Sequence, residues 1–162
     1  MNASEDFKWK LSNYIYNKNY NFDRKKILDI CDENNVIDAC KTISGWKGYE
    51  PTPLISLHKL SRKLKLNNIF YKDESKRFHL KSFKALGGAY AVEKAASENK
   101  NLTVTTATAG NHGRSVAWGA QRLGLNCKIF ISEYVSEARA NSMRNLDAEV
   151  IRVNGNYEKS LE

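Results

Sequence analysis

Two short stretches carry residue types that can do chemistry together. The first is Ser82-Phe83-Lys84-Ala85-Leu86-Gly87-Gly88. A lysine amine that loses its proton is a nucleophile and forms a Schiff base with an aldehyde. Phe83, Ala85 and Leu86 flank Lys84 and are expected to desolvate its ammonium group, which lowers its pKa. Gly87 and Gly88 leave room for a planar ligand to approach the backbone. The plain alternative is that Lys84 is one solvated helix lysine among 26 lysines and arginines. The second stretch is Thr106-Ala107-Thr108-Ala109-Gly110-Asn111-His112-Gly113, between a β-rich run and a helical one. In open α/β sheets ligands bind where strands end and helices begin, and free backbone N–H groups there favour an anion. Gly110 and Gly113 permit close approach, and Thr108 and Asn111 add directional hydrogen bonds. The loop suits a carboxylate or a phosphate; equally, it is a strand-to-helix turn that needs glycines for geometry. Its glycine spacing matches neither the dinucleotide fingerprint nor the Walker pattern.

The elements around these stretches alternate. Asp23 is a candidate cap for a helix carrying Ile27, Leu28 and Cys31, and Val36, Ile37, Cys40 and Ile43 continue at helical spacing. Pro51 and Pro53 force an extended path. Leu54, Leu57, Leu60 and Leu64 predict an amphipathic helix over 56–66. Residues 69–71 read as a strand, and 82–96 as a helix with Phe83, Leu86, Tyr90 and Ala91 as its apolar positions. Strands are expected at 102–106, 127–131 and 149–153. They are separated by helices at 111–123, ended by Gly124, and at 136–146, capped by Ser136; a further helix starts at Tyr157. This order predicts an α/β fold, a parallel sheet with helices on both faces.

Composition narrows the function. The chain has 162 residues, 41% hydrophobic and 27% charged, with a net charge of +8. No apolar run approaches the ~20 residues of a membrane span, and MNASEDFKWK has no signal-peptide core, so a cytoplasmic protein is expected. Cys31, Cys40 and Cys127 are odd in number and widely spaced, and His58, His79 and His112 have no metal-ligand spacing, so no metal is expected. The basic charge is scattered, without a zinc-finger or aromatic-glycine RNA-binding pattern, which argues against a nucleic-acid partner. The first ~20 residues, with Trp9, Leu11, Tyr14, Ile15 and Tyr16, read as an arm.

SFKALGGAYAV and TATAGNHGRSVAWGAQ resemble the fold-type II pyridoxal-phosphate enzymes, the group of threonine dehydratase and tryptophan synthase β. With GYEPTPLISL, YKDESKRFHLK and SEARANSMRNLDAEVIRVNGNY in the same order, the chain from about Gly45 onward is most similar to the diaminopropionate ammonia-lyase family. The resemblance implies pyridoxal 5′-phosphate as cofactor and Lys84 as the Schiff-base and catalytic lysine. It implies that Phe83 packs by the cofactor ring and that Asn111 hydrogen-bonds the cofactor's 3′-oxygen. It assigns Thr108, Gly110, Asn111 and His112 to the substrate carboxylate. The implied reaction is α,β-elimination of 2,3-diaminopropionate, a small amino-acid substrate, to pyruvate and ammonia. Threonine or serine dehydration on the same fold is the alternative, as is an inactive truncated fragment. A homodimer is implied for the full-length enzyme. The implied division is an N-terminal arm and helices (1–44), part of the large cofactor domain with the Schiff-base lysine (45–100), and incomplete small-domain βαβ units (101–162). The family's phosphate-cupping glycine loop is expected beyond Glu162, so the fold is expected to be incomplete here. Two departures stand out. Ala109 replaces an aspartate tied to proton transfer for the D-substrate, and His79 replaces a common glycine.

Overall fold

The computed structural model describes residues 23–99 and 101–162, so the expected N-terminal arm lies outside the described residues. The chain divides into two units, Met1–Val36 and Ile37–Glu162. In the first, Asp23 caps α1 (Arg24–Ile30), as its position before Ile27 and Leu28 predicts. Its carboxylate accepts from the Lys25 and Lys26 backbone N–H groups at 3.0 and 3.3 Å, filling acceptor-starved positions of the first turn. Ile27, Leu28 and Val36 are exposed. The helix α2 (Glu33–Ser44) forms at the expected spacing, yet it buries no residue.

In the second unit, a ribbon of β1 (Leu54–Ser56) and β2 (Phe70–Lys72) pairs antiparallel, with Ile55 opposite Tyr71. This ribbon corrects the helix expected over 56–66. Leu54 belongs to β1, and Leu57 N–H donates to the Ile69 carbonyl at 2.9 Å, which prolongs the ladder and delays the helix. The helix α3 therefore spans only His58–Leu64 and ends at Lys65 in the left-handed region. Leu60 and Leu64 remain exposed.

Three parallel strands follow: β3 (Thr103–Ala107), β4 (Asn126–Ser132) and β5 (Glu149–Val153), in that spatial order. The crossovers are α5 (Asn111–Leu123) and α6 (Glu137–Arg144). Ile129 and Ile131 of β4 point to one face, where they meet Val116, Ala117 and Ala120 of α5 and Ala140 and Met143 of α6. Phe130 points the other way, and a 3-10 turn, Glu158–Ser160, packs on β4. Ser136 precedes α6, but its side chain makes no capping bond.

The helix α4 (Lys84–Glu98) lies on α5 rather than on the sheet. Its buried stripe is Ala85, Gly88, Ala89 and Val92, not the Phe83, Leu86 and Tyr90 positions expected from side-chain size. Close packing of two helices selects small residues: a Cβ on Gly119 would lie 2.8 Å from the Cα of Ala89, and one on Gly88 would lie 2.3 Å from Ser115 Oγ. Beside this contact, Trp46, Phe78 and Trp118 form an aromatic cluster with Phe78–Trp118 centroids 4.6 Å apart. Arg122 lies over Trp46 at 4.2 Å. Glu93 accepts from the Trp46 indole N–H at 2.7 Å and pairs with Arg122 at 3.3 Å. Among the described residues, no helix is long and apolar enough to cross a membrane.

Gly119→Ala should destabilise the protein by about 1–3 kcal/mol, because its Cβ meets backbone that cannot move aside. Gly87→Ala should be neutral or stabilising by about 0.5–1 kcal/mol, since a Cβ there meets nothing within 4 Å and alanine favours the helix. Urea denaturation of the two variants measures both.

Candidate active site

Lys84 is the first residue of α4 and is held by its backbone at both ends. Its N–H donates to Ser82 Oγ at 3.2 Å, and its carbonyl accepts from Ser115 Oγ at 2.5 Å. The side chain is exposed, with Nζ 5.4 Å from the centre of the Phe83 ring. Phe83 is itself 61% exposed, and Ala85 is turned into the α4–α5 contact. The desolvation expected from these neighbours is therefore not built here. What the fold supplies instead is a fixed backbone and a reachable amine.

Ser115 lies one turn beyond Asn111, so the same hydrogen bond ties Lys84 to the helix that begins at the second stretch. There Thr108 is buried and prolongs β3: its N–H donates to the Phe130 carbonyl at 3.0 Å. Its hydroxyl accepts from the Gly110 N–H at 3.3 Å, closing the loop on itself. Gly110 is the N-cap of α5 and offers no side-chain cap; a Cβ there would meet nothing within 4 Å. The first turn of α5 thus presents N–H groups free of side-chain capping, the arrangement that favours an anion. Asn111 and His112 are exposed on that turn.

The two glycines expected to admit a ligand divide by role. Gly110 has open space, whereas Gly113 is an internal packing residue: a Cβ on it would come 2.4 Å from Thr108 Cγ2 and 2.7 Å from Met143 Sδ. Gly87 and Gly88 divide the same way, with Gly88 pressed against Ser115. Ser115 carried a signal in the sequence. Ser115, Val116, Gly119 and Ala120 recur at steps of one, three and one, and Ala85, Gly88, Ala89 and Val92 at three, one and three, so each set marks one face of its helix, and the two faces pack together.

A polar cluster absent from the sequence reading holds the loop before Lys84. Arg77, 5% exposed, donates to both carboxylate oxygens of Glu74 at 2.7 and 3.0 Å, to the Glu50 carbonyl at 2.9 Å and to the Thr52 hydroxyl at 2.9 Å. The Thr52 hydroxyl in turn bonds to Glu74, and Lys72 Nζ donates to the Thr52 carbonyl at 2.5 Å. These bonds fix a turn in which Phe78, His79 and Lys81 all lie in the left-handed region, at φ of 45°, 60° and 57°. His79 sits at a position whose backbone angle suits glycine, in line with the glycine that the sequence resemblance leads one to expect there. Phe78 accepts the strain because its ring is buried between Trp46 and Trp118. No cluster of three or more metal-ligating side chains occurs among the described residues.

The pyridoxal-phosphate dependent enzyme family model matches residues 46–162. The chain belongs to that family. Among curated relatives, the diaminopropionate ammonia-lyase of Escherichia coli K12 is 39% identical over 132 residues, covering 70% of this chain and 33% of the relative. A catabolic L-threonine dehydratase of Staphylococcus aureus is 31% identical, covering 67% of this chain and 31% of its own length. The chain thus spans about a third of the length of the curated relatives it matches. The crystal structure of the E. coli ammonia-lyase with an aminoacrylate–pyridoxal phosphate azomethine intermediate superposes with a TM-score of 0.74 at 37% identity, covering 79% of this chain and 36% of that one. The family and fold read from the two stretches agree with these findings.

Arg77 holds the Glu74 carboxyl down to about 2, from 4.5, with Thr52 assisting. A carboxyl with a lowered folded-state pKa contributes stability above its unfolded value and loses it as the pH falls. Full conversion of the shift gives about 3 kcal/mol, and solvent screening reduces that to roughly 1–2 kcal/mol. Glu74→Gln should therefore remove roughly that much of the stability lost between pH 4.5 and about 2, read from urea midpoints of both proteins across that window.

Proposed function

We propose that this chain is the lysine-bearing part of a pyridoxal-phosphate enzyme that converts 2,3-diaminopropionate to pyruvate and ammonia. The observation that carries the reading is the placement of Lys84. Its amine is exposed at the head of α4, and its carbonyl is bonded to Ser115 of the helix headed by Gly110, Asn111 and His112. These residues fit the cofactor: a reachable amine, an asparagine, and a helix N-terminus whose Cβ position at Gly110 is open. Lys84 would hold pyridoxal phosphate through its amine, and Asn111 would hydrogen-bond the 3′-oxygen. When bound, the cofactor supplies an electron sink for charge developing at the substrate's α-carbon.

The chain's own residues do the rest. The N-terminus of α5, with Gly110, Asn111 and His112, binds the substrate carboxylate and aligns the α-carbon. Buried Thr108 holds that loop in shape through its bond from Gly110. Lys84 Nζ takes the α-proton as general base. The β-amino group leaves as ammonia, and the released enamine acid takes up water to give pyruvate and a second ammonia. Ala109 offers only a methyl group at an exposed loop position, so it moves no proton, and the L-isomer is the expected substrate. Phe83 would pack beside the ring. The higher identity to the ammonia-lyase than to the threonine dehydratase favours an amine over a hydroxyl leaving group.

The division near residue 100 between a large-domain part and small-domain βαβ units rests on the family resemblance alone, since Val92 of α4 packs in the Ile129 cluster and Trp118 of α5 packs on the Trp46 cluster. The homodimer rests on the family resemblance, and the cytoplasmic setting rests on three free, widely spaced cysteines.

Supplied with pyridoxal phosphate, the protein should release pyruvate from L-2,3-diaminopropionate. Lys84→Ala should lower kcat by roughly 10²–10⁴-fold. Release of 2-oxobutanoate from threonine, without activity on diaminopropionate, would overturn the substrate assignment. Absence of both activities would overturn the reading for this chain.

A further inference from the structure

A cleft of about 660 Å³ in the second unit is not lined by Lys84. One wall is the extended segment around Glu50 and Thr52, and the other is the left-handed turn carrying Lys76, Arg77, His79 and Lys81. The volume falls within the range of small-molecule sites.

The charge on its lining is unequal. Arg77 is buried and spent on Glu74, Thr52 and the Glu50 carbonyl, so it serves as the rigid floor that joins the two walls. Lys76, His79 and Lys81 are exposed and make no ion pair among the described residues. Glu50 is the one acidic residue on the lining. His79 and Lys81 both have left-handed backbone, which the Arg77 clamp and the buried Phe78 ring hold in place. A strained turn that presents two ammonium groups and an imidazole to one cleft suits a compact, multiply charged anion. Lysine ammonium groups are point charges that bind phosphate without the planar fork a carboxylate prefers.

We propose that this cleft is an anion site for a small phosphate-bearing ligand, separate from the Lys84 site. It stands independently of the reaction proposed above. The probe is inorganic pyrophosphate, titrated into the full chain and followed by calorimetry and by backbone amide shifts. Saturable binding with Kd below about 1 mM is expected. Shifts should centre on residues 75–81. The double variant Lys76→Gln/Lys81→Asn should weaken binding at least roughly tenfold; asparagine is chosen because it tolerates the left-handed backbone at 81. Lys84→Ala should bind as the wild type does, and so should Lys59→Gln/Lys63→Gln, an exposed pair on α3 that does not line the cleft. Three results would each overturn the proposal. One is no saturable binding. Another is an equal loss in the Lys59/Lys63 pair, which marks diffuse attraction to a basic surface. The third is an equal loss in Lys84→Ala, which assigns the anion to the Lys84 site.

Discussion

The close contact between α4 and α5 is the constraint on which the rest of the second unit depends. Two helices can come this near only where Gly88 and Gly119 carry no side chain. At that separation Ser115 Oγ reaches the carbonyl of Lys84. The bond joins the two stretches with chemistry, which lie some thirty residues apart in sequence. One is the head of α4, and the other is the loop that leads β3 into α5. Gly113 does the same work on the other side of α5: by lacking a Cβ it lets Thr108 and Met143 pack beneath the loop. The glycines in this region therefore serve mainly to bring backbones together. Gly87 and Gly110 are the ones left facing open space.

A second constraint acts on the approach to Lys84. Left-handed backbone at three non-glycine residues costs on the order of 1 kcal/mol each, so the turn at 78–81 persists only if something holds it. The Glu74–Arg77–Thr52 cluster holds one side, and the Phe78 ring, buried against Trp46 and Trp118, holds the other. Breaking one partner would leave the other charge buried and uncompensated, which is costlier than never having had the pair. The antiparallel ribbon matters here for geometry: pairing Leu54 with Lys72 brings Thr52 next to Glu74.

Much of this was legible in the residues. The helix α5 was expected at 111–123 and forms at Asn111–Leu123, and β5 forms at Glu149–Val153. In both cases pattern, length and a terminal glycine or turn agree with each other. The Lys84 and Gly110–His112 stretches both fall at helix starts, where free N–H groups and a reachable amine belong. The rest was hidden for physical reasons. A strand of three residues such as β1, with Leu54 and Ile55 both exposed, has no alternation to read, whereas the apolar run 69–71 did mark β2. Leucines at helical spacing suggested a helix from 56, and a strand hydrogen bond at Leu57 overruled them. Large side chains suggested the wrong face of α4, because the face that packs is the one with the least bulk. The partners of Arg77 lie up to 27 residues away in the chain, and only the ribbon brings them together. Apolar neighbours in sequence also suggested that Lys84 is desolvated, but Ala85 turns inward and Phe83 outward.

The central claim is that the α4–α5 contact presents one particular lysine among many as the amine for an aldehyde cofactor. Borohydride trapping of added pyridoxal phosphate, followed by peptide mapping, tests it directly. The account predicts that the reduced label falls predominantly on Lys84. A label spread evenly over the exposed lysines, or concentrated on another one, would contradict it.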